Sequence, residues 1–106
     1  ALVDTGASGT VIDDSVLGPL KLPPTGEQLV QTPSTGQTPH KAFQYDVSII
    51  IPGSTTAQRP LLFLPALPIV GMPMNQQGYA MLLGRDVLNL GSLTYIGTSG
   101  HYVLAF

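Results

Sequence analysis

Residues 1–8 read Ala-Leu-Val-Asp-Thr-Gly-Ala-Ser and place a carboxylate directly after a short apolar segment. Leucine and valine favour a strand, and Asp-Thr-Gly favours a tight turn at the end of that strand. The turn would present Asp4 at the edge of the hydrophobic core. Taken alone, the triplet indicates little about function, because aspartate and glycine end many strands for structural reasons.

A second segment makes the functional signal of the first one more specific. Residues 81–88 read Met-Leu-Leu-Gly-Arg-Asp-Val-Leu, an apolar strand followed by a glycine, a charged pair and the start of a helix. The two segments together resemble the paired signature of retropepsin-like aspartic proteases. In that family an apolar-apolar-Asp-Thr-Gly-Ala loop carries the catalytic aspartate, and an apolar-apolar-Gly-Arg-Asp/Asn segment lies beside it before a short helix. The resemblance covers nearly the whole chain, and the combination is more specific than either motif.

The composition predicts an all-β fold. Twelve glycines and ten prolines divide the chain into short segments rich in β-branched and aromatic residues. The resemblance implies a small closed or partly open β-barrel of the retropepsin type, with a flap hairpin and one short C-terminal helix. The sequence predicts strands over 1–3, 9–12, 28–31, 41–51, 61–64, 79–83, 93–96 and 101–106, and helical turns over 13–17 and 85–90.

The length of 106 residues fits one domain, so we expect residues 1–106 to form a single retropepsin-like domain. Family members usually have another strand or hairpin before the strand that enters the catalytic loop. Only three residues precede Asp4 here. We therefore expect an N-terminal strand of the family fold to be missing from these residues.

The resemblance implies a role for each residue of the first motif. Asp4 would be the catalytic carboxylate, and the hydroxyl of Thr5 would cross to the loop of a partner subunit. Gly6 would let the loop turn beneath the substrate. Substrate-binding positions would be Ala7 and Ser8 at the loop and Thr32, Pro33, Ser34, Thr35, Gly36 and Gln37 at the flap tip.

Gly84, Arg85 and Asp86 would support the site from the second motif. In retroviral members the arginine that matches Arg85 pairs with an aspartate just beyond the catalytic loop. Ser8 stands at the nearest position in this chain, so Asp13, Asp14 and Asp86 remain open as the partner of Arg85.

A single Asp-Thr-Gly motif limits the mechanism. One carboxylate cannot serve as both general acid and general base toward a peptide bond, and the chain has no second Asp-Thr-Gly or Asp-Ser-Gly. The resemblance therefore implies a homodimer that acts on a polypeptide substrate. Asp4 and its symmetry mate would share one proton and activate a water molecule. This chemistry uses no metal and no cofactor.

The composition also bears on the partners. Hydrophobic residues make up 43% and charged residues 9% of the chain, so we expect some apolar surface to be buried against a partner. The net charge of −2 and the lack of a basic stretch argue against a nucleic acid.

Other kinds of site find little support in the sequence. There is no cysteine for a disulfide or a thiolate zinc site, and His40 and His101 are too few and too far apart to indicate a metal centre. The longest apolar run, 61–74, is interrupted by three prolines and is too short for a membrane segment. We expect a soluble domain, whose compartment the sequence does not indicate.

Two other interpretations remain open. One is a catalytically idle retropepsin-like dimer that holds an extended peptide under its flap as a binding or assembly module. The intact Asp4-Thr5-Gly6 argues against it, and turnover of a peptide library separates the two. The other is an unrelated small β-barrel in which Asp4 only ends a turn. A monomer with Asp4 far from any other carboxylate would favour that interpretation.

Overall fold

Short apolar segments between turns form most of the chain's regular structure. The computed structural model describes residues 1–32, 36–53, 61–74 and 76–106. It is mostly β, with 48% strand, which confirms the predicted all-β character. The elements are β1 Leu2–Val3, β2 Val11–Asp13, α1 Asp14–Leu17, β3 Gly26–Val30, β4 His40–Ile51, β5 Leu62–Met72, β6 Met81–Leu83, α2 Arg85–Leu88, β7 Ser92–Ile96 and β8 His101–Ala105, with a 3-10 turn at Gly18–Leu20.

Six strands form one sheet in the order β1-β6-β2-β5-β4-β3, and β7 pairs with β8 as a separate hairpin. Pairing is parallel for β1 with β6 and for β2 with β5, and antiparallel elsewhere. Within the described ranges nothing pairs β3 back onto β1. The closed form of the expected barrel is therefore not found in the part of the chain that the structure describes.

The position of β6 in the sheet determines where the two sequence motifs meet. Although β1 and β2 follow each other in sequence, β6 lies between them. Because β1 and β6 run parallel, with Val3 opposite Leu83, both strands end at the same edge of the sheet. Asp4 follows β1 and Gly84 follows β6, so these two residues lie side by side.

Strand β5 is much longer than the predicted strand at 61–64. The prolines argue against a longer strand, since Pro65 and Pro68 have no N–H for a ladder. In the structure β5 pairs with β4 along most of its length, but with β2 only at its last three residues. Val70 N donates toward β2, to Thr10 O at 3.2 Å. Because successive N–H groups of a strand point to opposite sides, the nitrogen of Pro68 faces the same side as Val70 N. No described strand is paired with β5 on that side at Pro68, so the missing N–H breaks no hydrogen bond of the described sheet.

The core consists of two clusters of buried side chains. One lies between α1 and the sheet, and the other lies between α2 and the sheet. Leu104 and Phe106, at the end of the β7–β8 hairpin, pack against the second cluster. The hairpin therefore supports the segment that follows β6. The buried members are Ile12, Leu17, Val47 and Ile69 in the first cluster and Leu83, Val87 and Leu88 in the second.

Asp13, at the end of β2, is a buried carboxylate with only 3% exposure. Its Oδ1 accepts a hydrogen bond from Met74 N at 2.6 Å, and its other oxygen accepts one from the Ser15 hydroxyl. The Ser15 hydroxyl and then the Met74 N–H lower the pKa of Asp13, although burial acts in the opposite direction. The ionised carboxylate thus fastens the segment before β6 to the start of α1.

We expect Asp13 to make the free energy of unfolding depend on pH in the acid range. Because folding lowers the pKa of Asp13, its stabilisation is complete above the unfolded-state pKa of about 3.9. It is lost as the pH falls through the lower folded-state pKa. Urea unfolding measured from about pH 7 to about pH 3 should show a smaller loss of stability for Asp13→Asn than for the wild type.

The exposed carboxylate of Asp46 on β4 provides a matched control. Asp46→Asn should keep the pH dependence of the wild type. If the free energies of unfolding of Asp13→Asn and the wild type change with pH in parallel over this range, Asp13 is not the source of the pH dependence.

Candidate active site

The loop after β1 holds Asp4 through hydrogen bonds of its own backbone. Asp4 N donates to Leu83 O at 3.1 Å, and Ala7 N donates back to Asp4 O at 3.3 Å. Gly6 N donates to Asp4 Oδ1 at 2.8 Å. The half-buried carboxylate is therefore oriented through one oxygen, while its other oxygen has no hydrogen-bond partner among the described residues.

Thr5 and Gly6, the next two residues of the loop, are exposed. A Cβ on Gly6 would lie 3.1 Å from Asp4 Oδ1, so a side chain there would crowd the oxygen that Gly6 N holds. The Thr5 hydroxyl makes no hydrogen bond within the described part of the chain, whereas Thr5 O does accept one. The loop thus presents a carboxylate oxygen and a hydroxyl that have no hydrogen-bond partner among the described residues.

The rest of the loop contacts the first turn of α2. Arg85 N donates to Ala7 O at 2.9 Å, and Asp86 N donates to Ser8 O at 3.2 Å. The first N–H groups of a helix have no partner inside the helix, so the loop carbonyls satisfy them. These bonds bring the predicted residues Ala7 and Ser8 together with Arg85 and Asp86.

Asp86 joins the loop to α2 through Thr10, a residue that the sequence analysis missed. Thr10 donates to Asp86 through its N at 2.9 Å and through its hydroxyl at 2.7 Å. Its hydroxyl also accepts from Gly84 N at 3.2 Å, and Asp86 Oδ1 accepts from Val87 N at 2.9 Å. Thr10 is 1% exposed. The only signal in the sequence is a hydroxyl residue directly before the apolar Val11.

Arg85 lies against the Asp4 loop without a carboxylate partner. Its Nη1 donates to Thr5 O at 2.9 Å and to Gly6 O at 3.2 Å. The side chain is exposed. None of the expected partners, Asp13, Asp14 and Asp86, forms an ion pair with it, since the ion pair found among the described residues joins Lys41 and Glu27. The guanidinium therefore binds backbone carbonyls of the loop.

Gly84 passes so close to the loop that no side chain fits there. A Cβ on Gly84 would lie 2.4 Å from Gly9 O and 2.5 Å from Gly9 C. Both of these are backbone atoms, which cannot move aside as a flexible side chain could. This approach explains the glycine of the second motif.

The predicted flap falls on the hairpin of β3 and β4, where Val30 pairs with His40. Of its predicted tip, Pro33, Ser34 and Thr35 lie outside the described residues. Thr32 is half-buried, while Gly36 and Gln37 are exposed. Neither Gly36 nor Gln37 has a hydrogen bond to the Asp4 loop in the described structure.

The described ranges contain no cluster of three or more histidine, aspartate or glutamate side chains placed to hold a metal ion. No helix found in them is long and apolar enough to cross a membrane.

Comparison with known proteins identifies a protein family. The model of a family described as aspartyl protease matches residues 1–87, which include the Asp4 loop and the Gly84-Arg85-Asp86 segment. No curated protein and no solved structure matches the chain.

We expect Gly84→Ala to destabilise the fold by about 1–3 kcal/mol, the usual effect of forcing a methyl group into a packed site. Gly9→Ala gives a matched control on the other side of the contact, because a Cβ on Gly9 has nothing within 4 Å. That variant should stay within about 0.5 kcal/mol of the wild type. Urea unfolding measures both variants, and equal stabilities would contradict the close approach.

Proposed function

Because the chain belongs to the retropepsin-like aspartyl protease family, we propose that it is an endopeptidase that hydrolyses peptide bonds with Asp4 as its catalytic residue. The observation that carries the proposal is the hydrogen bonding of the Asp4 carboxylate. Gly6 N orients one oxygen at 2.8 Å, and the other oxygen has no partner among the described residues. An oriented carboxylate with an oxygen available can bind and activate a water molecule.

Two copies of the chain complete the proposed site. The sequence contains one Asp-Thr-Gly, so the second carboxylate comes from a symmetry-related copy, each subunit contributing residues 1–106 as one domain. Two carboxylates in close contact cannot both ionise, and the pair shares one proton. The ionised member takes a proton from water as the water oxygen attacks the scissile carbonyl carbon. The protonated member donates a hydrogen bond to the carbonyl oxygen.

The surface after α2 supports pairing between copies. Residues 87–106 contain no Asp, Glu, Lys or Arg. Tyr95 and Tyr102 stand opposite each other on the β7–β8 hairpin and are 70% and 54% exposed. Exposed aromatic side chains in a segment free of Asp, Glu, Lys and Arg are typical of the centres of protein interfaces.

Other residues of the loop take supporting roles in this proposal. The Thr5 hydroxyl, which has no bond within the described chain, crosses to the loop of the second copy. Gly6 gives room beside the carboxylate, and Ala7 and Ser8 border the substrate backbone. The β3–β4 hairpin acts as a flap whose tip, 32–37, closes over the substrate.

Asp4→Asn should abolish cleavage while leaving the fold and the pairing intact. The asparagine oxygen can still accept from Gly6 N, but the amide cannot exchange a proton with water. We expect a loss of about 10²–10⁴-fold or more in kcat/KM on a cleaved peptide. Asp46→Asn, at an exposed carboxylate on β4, should retain activity.

The same variant tests the requirement for two copies. Specific activity of the wild type should fall on dilution, and an excess of Asp4→Asn protein should lower it further by forming mixed pairs. Full activity in a demonstrated monomer would refute the shared site.

Thr5→Val should weaken pairing, because valine keeps the shape of threonine but has no hydroxyl. A net hydrogen bond contributes about 1 kcal/mol, and a symmetric dimer would lose two, so we expect the dissociation constant to rise about tenfold or more. Thr5→Ser restores the hydroxyl and should bind close to the wild type. Sedimentation equilibrium measures all three proteins, and equal dissociation constants for Thr5→Val and wild type would rule out the contact.

A further inference from the structure

Arg85 is an exposed cation that the Asp4 loop holds in a fixed position. Its Nη1 donates to both Thr5 O and Gly6 O. The Nη2 and Nε donors of the guanidinium have no partner among the described residues. Anchoring at Nη1 therefore leaves the Nη2 and Nε N–H groups of an exposed side chain available to a ligand.

The charge of Arg85 has no ion-pair partner in the described ranges. All six acidic residues lie in the described ranges, and none forms an ion pair with Arg85. Asp86 is occupied by Thr10 and Val87, and Asp13 by Ser15 and Met74. The guanidinium fork matches the geometry of carboxylates and phosphates, and the carboxylate is the acidic group that peptide side chains carry. An Arg85 without an ion-pair partner is therefore suited to bind an acidic side chain.

Arg85 lies near the proposed reacting atoms. Gly6 links the two groups, because Gly6 N donates to Asp4 Oδ1 at 2.8 Å and Gly6 O accepts from Arg85 Nη1 at 3.2 Å. One residue spans at most about 3.6 Å, so the guanidinium lies within about 10 Å of the Asp4 carboxylate. An extended peptide rises about 3.3 Å per residue, so three residues cover this distance.

On the basis of the proposed peptidase function, we infer that Arg85 determines specificity. It selects polypeptides with an Asp or Glu side chain within three residues of the scissile bond. The guanidinium is already held by two carbonyls, so binding an acid requires little further ordering of the arginine. The net charge of the chain, −2, repels acidic peptides in general. A preference for acid at one position must therefore come from a local cation and not from the overall charge.

The test uses matched peptides built on one cleaved sequence. Each of the three positions on either side of the scissile bond carries Glu in one peptide and Gln in its pair. For the wild-type protein we expect one position at which Glu raises kcat/KM about tenfold over Gln, the effect of one charge-assisted hydrogen bond. The ratio should fall as NaCl is raised from about 0.05 M to about 0.5 M, because salt screens exposed charges.

Variants of Arg85 identify the source of the preference. Arg85→Gln should bring the Glu/Gln ratio at that position to about one, and Arg85→Lys should keep part of it. The ratio does not depend on how much of a variant is folded, so loss of support for the loop does not change it. If Arg85→Gln does not fold, the Glu/Gln ratio of the wild type and the salt dependence of that ratio test the inference. Lys21→Gln, at an exposed cation after α1, should leave the ratio unchanged.

The outcomes separate this inference from the function on which it rests. Equal cleavage of Glu and Gln peptides at all positions, or a preference that survives in Arg85→Gln, overturns the role of Arg85 and leaves the peptidase function standing. No cleavage of any peptide by a paired wild-type protein overturns the peptidase function, and the role of Arg85 with it.

Discussion

The backbone of the Asp4 loop passes Gly84 at contact distance, and the arrangement of the site depends on this approach. A Cβ on Gly84 would lie 2.4 Å from Gly9 O, so no side chain fits where β6 leads into α2. The approach follows from the topology, because β6 lies between β1 and β2 and the loop joining those two strands has to cross its end. At the crossing, Ala7 O and Ser8 O satisfy the first N–H groups of α2, which no residue inside the helix can do.

The two charged residues of the second motif have separate partners. Asp86 accepts hydrogen bonds from Thr10 N, the Thr10 hydroxyl and Val87 N, so a partly buried carboxylate is satisfied without a cation. Arg85 donates to carbonyls of the Asp4 loop, so a guanidinium is placed without a carboxylate. An adjacent Arg-Asp pair looks like an ion pair in the sequence. Here each side chain instead links α2 to a different part of the loop between β1 and β2.

The sequence predicts the local features well and the long-range ones poorly. The strand before Asp4, the turn after it and the helix after Gly84 depend on neighbouring residues, and all three appear in the structure. The length of β5 and the role of Thr10 depend on which strand lies beside them. Pro68 is tolerated because its nitrogen faces a side without a paired strand, and a register of this kind is set by residues far away in the chain. The partners of Arg85 likewise depend on the loop crossing and not on the residues next to it.

In a dimer with a two-fold axis through the proposed site, the Asp4 carboxylate can lie close to the axis, whereas the Arg85 guanidinium cannot. A group close to the axis meets its own copy, so only groups that tolerate such a contact can lie there. Two carboxylates tolerate it by sharing a proton, and two hydroxyls tolerate it because each can donate and accept. A guanidinium stays charged at any ordinary pH and cannot share its charge in this way. In the proposed dimer Arg85 must therefore lie off the axis, and its bonds to Thr5 O and Gly6 O are suited to hold it there. The same bonds that would keep two like charges apart hold each guanidinium beside its own Asp4 loop, where the proposed specificity for acidic peptides requires it.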